Sequence, residues 1–145
     1  MNTNEMRYPA IFHRESADEW VVRFPGLEGA LTGARTLEQA ETEAVDCLGS
    51  WLASALAEKR EIPSPAPAKR GQRMVSVPLW IAPKVALYRI LVNSGINNSE
   101  LARRLGVRET VVRRMLDPDH ATKLGNIERA LLAAGAHMFL ALDAA

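Results

Sequence analysis

Residues 99–116 read SELARRLGVRETVVRRML, and whether this stretch is a pair of helices locked at a glycine decides how the second half of the chain is built. Asn97 is placed to cap the first helix, with Glu100 at its third position, a pairing that fixes where the helix begins. Counting from Asn98 as position one, Ala102 comes fifth, Gly106 ninth, Val107 tenth, Val112 fifteenth and Met115 eighteenth. Ala102 lets a second helix pass close by, and Gly106 permits a turn backbone that a β-carbon would strain. Leu101, Leu105, Val107, Val112 and Met115 are expected to fill the wedge between the helices.

The remainder of the second helix, Arg108, Glu109, Thr110, Val111, Arg113 and Arg114, is then left facing outward. Residues 98–116 hold five arginines, at 103, 104, 108, 113 and 114, against Glu100 and Glu109, a local balance of +3. Arginine contacts phosphates or pairs with guanine through two hydrogen bonds, and a glutamate accepts from a cytosine amino group. The pattern predicts a helix-turn-helix that reads double-stranded DNA, with Asn98, Ser99, Arg108, Glu109, Thr110, Arg113 and Arg114 as the DNA-binding residues. Arg103 and Arg104 are expected to face the DNA backbone or solvent. The plainer alternative is a pair of amphipathic helices with solvated arginines.

The flanks extend the helical pattern. KVALYRILVNSG, closing at Gly95, places Val85, Leu87, Leu91 and Val92 on an apolar phase, and LGNIERALLAAG forms a further helix before an apolar tail. Because one helix reads few base pairs, a two-fold dimer is implied, with half-sites about one helical turn or a multiple apart. The apolar segment Ala130–Leu142 is the expected contact between copies.

Upstream of Pro83 the periodicity changes. YPAIFHR (8–14) and EWVVRF (19–24) are rich in aromatic and β-branched residues around the turn-like ESAD, and ALTGA (30–34) makes a short third strand. From Thr36 to Glu58, Leu37, Ala40, Ala44, Leu48, Trp51 or Leu52, and Ala55 recur at helical spacing, with Thr36 as cap and Gln39 reaching back. IPSPAPAKRGQ (62–72), with three prolines at alternate positions, is a stiff connector. RMVSVPLW (73–80) then alternates Val75, Val77 and Leu79, a strand returning to the edge of the same sheet. The fold class expected is α+β: a β-β-β-α-β unit over residues 1–80 joined to an all-α unit over 81–145.

Charge divides at the same place. Residues 1–62 carry 6 Lys/Arg against 11 Asp/Glu, and 63–145 carry 12 against 6, so a net +1 conceals −5 and +6. Such asymmetry suggests different partners for the two parts, one of them polyanionic. No apolar run reaches the roughly 18 residues of a membrane span, and MNTNEMRYPA lacks the pattern of a secretory signal, so a cytoplasmic protein without a membrane partner is expected. Cys47 is the sole cysteine, which leaves no internal disulfide and no cysteine-based zinc site.

Catalysis finds little support. A ribonuclease needs carboxylates converging on two metal ions, whereas Asp18 falls in a turn and Glu41, Glu43 and Asp46 on a helix without acidic partners on the central strands. His13, His120 and His137 are scattered without metal-ligand spacing. Neither a glycine-rich phosphate loop nor a nucleophile elbow occurs. No catalytic residue, metal or cofactor is therefore expected.

The order of these features carries a resemblance. Residues 83–135 resemble the Cro/cI-like helix-turn-helix domain of phage repressors. RYPAIFHR, the strand ending in FPGLEGALTGA, and the helix opening TLEQA resemble the HicB antitoxin family, whose subgroup with a helix-turn-helix tail is similar to this chain over nearly its whole length. The resemblance implies a first domain with a partial ribonuclease-H-like fold that neutralises a small HicA-type messenger-RNA-cleaving toxin, and a second that represses the shared operon. The toxin, in that family, carries the catalytic histidine. An RNA-binding toxin should be basic, so acidic residues of the first domain are natural contacts: Glu15, Asp18, Glu19 and Glu28, together with Trp20. Trp20 and Trp51 are also read as core anchors. The alternatives are a stand-alone regulator whose first domain senses a small ligand, and a nuclease.

Overall fold

A computed structural model describes residues 5–144. The elements run β1 (Arg7–Ser16), β2 (Glu19–Arg23), β3 (Leu31–Ala34), α1 (Leu37–Ala57), β4 (Arg73–Ser76), α2 (Ala82–Ser94), α3 (Asn98–Leu105), α4 (Glu109–Leu116) and α5 (Leu124–Ala133). The class is α+β, as expected, with four antiparallel strands and five helices among the described residues. Two compact units divide between Ala82 and Pro83.

In the first unit the sheet order is β3-β2-β1-β4. Strand alternation puts Tyr8 beside Val75 and Phe12 beside Val22. Tyr8, Ala10, Val22 and Val75 are buried together with Ala40, Ala44, Leu48, Leu52 and Ala55 of α1, which lies against β2, β3 and β4. Helix α1 starts where its cap dictates. Thr36 Oγ1 accepts the Gln39 N–H at 3.1 Å, while Gln39 Oε1 accepts the N–H of Arg35, one residue beyond the expected partner, at 3.0 Å.

Trp20 and Trp51 both depart from the expected role of core anchor. Leu52 rather than Trp51 continues the buried phase, because 44, 48, 52 and 55 stay within one stripe at 3.6 residues per turn. Trp51 is half-buried at the stripe's edge, its indole N–H donating to the Glu28 carbonyl at 2.8 Å. Trp20 is half-buried with the Arg14 guanidinium 6.0 Å from its ring centroid. Leu37, in the first turn of the helix, is exposed.

The proline-rich segment forms the crossover from α1 to β4, tied down by the Tyr8 hydroxyl, which donates to the Pro63 carbonyl at 2.6 Å. Strand β4 is the expected edge strand, but it ends at Ser76. Val75 and Val77 are buried, whereas Leu79 is exposed, because Pro78 has no N–H to prolong the ladder. Pro78 instead turns the chain across α1 at Gly49, where an added β-carbon would lie 2.8 Å from Pro78 Cγ.

The second unit packs Leu87, Leu91, Leu101, Ala102, Val112, Met115, Ile127, Ala130 and Leu131 into one core. Val92 departs from its expected place and is exposed, since Leu87 and Leu91 already define the inward phase of α2. Helix α3 ends as the glycine predicts. Gly106 adopts φ +67°, and the Val107 N–H returns to the Ala102 carbonyl at 3.0 Å. That turn carries the Val107 side chain outward, to 39% exposure, so it does not fill the wedge. Leu105 is half-buried at the wedge's rim. After α5 the chain turns at Gly135 (φ +90°); Met138 packs back on the core, while Phe139, Leu140 and Leu142 are exposed.

Candidate functional site

Helices α3 and α4 meet through Leu101, Ala102, Val112 and Met115, all buried. With those residues inward, Thr110, Arg113 and Arg114 share the opposite, exposed face of α4, and exposed Arg108 stands at its N-cap without capping through its side chain. Ser99 is exposed and Asn98 half-buried at the start of α3.

The arginines divide by partner. Asn97 Oδ1 caps α3 by accepting the Glu100 N–H at 2.8 Å. The Glu100 carboxylate turns to its own helix: Arg103 donates from Nε at 3.0 Å and Nη2 at 2.7 Å, and Arg104 Nε donates at 3.0 Å. Arg104 also donates from Nη1 to the Ala133 carbonyl at 3.1 Å, fastening α3 to the end of α5. Glu109, read from sequence as an acceptor for a base, receives Arg113 Nη2 at 2.5 Å and is half-buried. Arg108 and Arg114 make no ion pair among the described residues and present free guanidiniums at the two ends of the exposed face.

The hydrogen bonds from Arg103, and then from Arg104, hold the Glu100 carboxyl down at about 2. A folded-state value below the unfolded one means that this carboxylate's contribution is present above the ordinary carboxylate range and is lost as pH falls toward 2. In an acid titration followed by NMR, the Glu100 carboxyl should therefore have a midpoint near 2, and Glu100→Gln should remove that part of the second unit's acid sensitivity. A midpoint at the ordinary glutamate value would contradict the paired geometry.

Sequence reasoning missed Lys84. It is 3% exposed, and its Nζ donates to the carbonyls of Arg114 (3.2 Å), Asp117 (2.6 Å) and His120 (2.7 Å) and to Thr122 Oγ1 (3.1 Å). Three carbonyls around one nitrogen match the three N–H donors of the ammonium form, with the Thr122 hydroxyl alongside, whereas a neutral amine would turn its lone pair on one of them. Burial pulls the pKa below the ordinary lysine value, and the Asp117 charge opposes this. The positive charge at the C-terminus of α4 also complements the helix dipole. A signal existed: Lys84, Leu87 and Leu91 lie at i, i+3 and i+7, on the inward phase.

In the first unit, Glu15, Asp18 and Glu19 are exposed at the β1–β2 hairpin end, with Trp20 beside them. Glu28 is exposed in the loop before β3, beyond the other end of β2, so the five residues do not form one patch. No group of three or more His, Cys, Asp or Glu is placed to hold a metal ion among the described residues.

The family described as HicB_like antitoxin of bacterial toxin-antitoxin system matches residues 7–86. Antitoxin HicB 2 of Photorhabdus laumondii is 38% identical over 138 residues, spanning 95% of this chain and 97% of the relative. The chain belongs to the HicB antitoxin family.

Antitoxin HicB of Pseudomonas fluorescens is 33% identical, over 95% of this chain and 94% of its own, and that of Escherichia coli K12 is 31% identical, over 94% and 99%. The HicB match takes in the sheet, α1 and the start of α2, whereas the similarity to these HicB relatives runs on through most of the helical unit. Among the described residues of this HicB chain, no helix is long and apolar enough to cross a membrane.

Proposed function

We propose that this HicB-family protein works in the cytoplasm, where its first unit, a partial ribonuclease-H-like domain, binds and neutralises a small HicA-type messenger-RNA-cleaving toxin. Its second unit, a helix-turn-helix of Cro/cI type, represses the shared operon by laying α4 in the major groove of an operator. The observation that carries the DNA half is the exposed face of α4, with Arg108, Thr110, Arg113 and Arg114 outward over buried Val112 and Met115. The free guanidiniums of Arg108 and Arg114 are the base readers; Glu109 holds Arg113 in a fixed rotamer, and Asn98 and Ser99 serve the phosphate backbone at the α3 N-terminus. Family membership supports the toxin half, with Glu15, Asp18, Glu19 and Trp20 at one end of the sheet and Glu28 at the other as acidic and aromatic contacts.

Arg108→Ala and Arg114→Ala should each weaken specific operator binding by roughly 1–3 kcal/mol and relax discrimination at one base position. Fluorescence anisotropy against the operon's own promoter and a scrambled duplex measures both quantities, and unchanged affinity for both variants would remove α4 from the groove. Of the segment Ala130–Leu142 expected between copies, Ala130 and Leu131 are instead buried in the unit's own core, and the exposed tail, Phe139, Leu140 and Leu142, joins two copies in this reading. Light scattering on a chain ending at Gly135 should report monomer where the full chain reports dimer.

A further inference from the structure

Among the described residues, β3 closes one side of the sheet with β2 as its sole strand neighbour. An edge strand leaves a row of backbone donors and acceptors ready to pair, and natural edges are guarded by brevity, lysine, proline or a bulge. LTGA (31–34) is short but holds no lysine, proline or bulge, and Leu31 is 62% exposed on it. Beside this edge runs an open trough of about 430 Å³, walled by Ala30, Leu31 and Thr32 on the strand side and by Glu43, Asp46 and Trp51 on the α1 side.

The helix side of the trough carries two carboxylates, Glu43 and Asp46, beside Trp51. Trp51 is fixed by its indole hydrogen bond to Glu28, and the Arg60 guanidinium stacked 5.0 Å from its centroid is itself paired with Glu58. Glu43 and Asp46 make no ion pair among the described residues. The wall's negative field is felt inside: after burial, the Glu43 charge pushes the Cys47 thiol up.

We propose that the β3 edge and this trough dock an extended, lysine- or arginine-bearing segment of the toxin as a fifth strand, a reading that rests on the toxin-neutralising function above. Main-chain pairing supplies affinity in such strand addition, and side-chain pockets supply specificity. A protein that binds RNA carries basic surface, and Glu43 and Asp46 stand where alternate side chains of an added strand would reach. Leu31 and Trp51 offer the apolar anchors. A second copy of this chain fits poorly, because each would bring the same carboxylates to the other and like charges repel.

The probe is the small basic product of the adjacent reading frame, co-expressed with the full chain. Leu31→Lys, and separately Glu43→Lys with Asp46→Lys, should each weaken the complex by about tenfold or more in titration calorimetry. Glu61→Lys with Glu128→Lys, the same change in net charge at exposed residues that do not line the trough, should leave affinity within about twofold. In the wild-type complex, amides 31–34 should gain hydrogen-exchange protection. Folded trough variants that bind normally, or a complex in which amides 31–34 exchange as in the free chain, would overturn the docking site while leaving toxin neutralisation intact. Absence of any complex with the unaltered chain would bring down the toxin reading and the docking site with it. Light scattering completes the test: a self-association of the free chain abolished by Leu31→Lys would assign the edge to a second copy and overturn the proposal.

Discussion

Replacing Lys84 by methionine should destabilise the second unit by roughly 2–4 kcal/mol, because the variant keeps the aliphatic stem and removes the one buried ammonium on which four acceptors converge. The carbonyls of Arg114, Asp117 and His120 and the hydroxyl of Thr122 converge on that ammonium. A polar group that loses its partner and is not fully rehydrated costs more than the net worth of the bond it lost. The loss falls at the C-terminus of α4 and the loop after it, so hydrogen exchange at residues 114–122 should accelerate before the rest of the unit melts. Urea unfolding followed by exchange mass spectrometry reads both effects. A change in stability below about 0.5 kcal/mol, the range of an ordinary surface substitution, would show that the cluster does not hold the helix end.

Leu101→Ala should cost about 2–5 kcal/mol, the range for removing a fully buried leucine from a core that cannot collapse around the void. Leu101 has no exposed surface and lies in the same cluster as Val112 and Met115, the inward residues of α4. The seat of the exposed arginine face is thereby loosened. On the function proposed above, operator binding should fall with the folded fraction of the second unit and capture of the toxin by the first unit should survive, because the two are compact units. A thermal melt with probes in both units distinguishes this from global unfolding. Simultaneous loss of both transitions would mean that the units are not energetically separate.

Much of the fold was legible because it rests on short-range rules. Thr36, Asn97 and Gly106 mark helix ends through bonds that reach only a few residues along the chain, and those bonds are present. The strands of the hairpin and the returning strand at residue 73 were readable from alternation. The misplaced residues are the ones for which periodicity offers two adjacent choices, or where a turn redirects a side chain. Trp51 and Leu52 both fit the spacing, and only the sheet against α1 selects the smaller aliphatic side chain at 52. Val92 and Val107 are apolar and correctly spaced, but one follows a phase already filled and the other stands just past a left-handed glycine.

The candidate site was partly legible in the same sense. Arginine positions on α4 followed from helical phase, yet their division into paired Arg113 and free Arg108 and Arg114 depended on where Glu109 turned. Composition, caps and periodicity by themselves determined that the chain is α+β, that an acidic strand-led half precedes a basic helical one, and that an arginine-rich face opens on the second helix of a tight pair. Only the tertiary structure decided that Lys84 is buried, since its four acceptors lie 30 to 38 residues further along the chain. It alone decided that β3 ends the sheet with an acidic helix wall beside it, because edge position is a property of strand order, to which no local bond contributes.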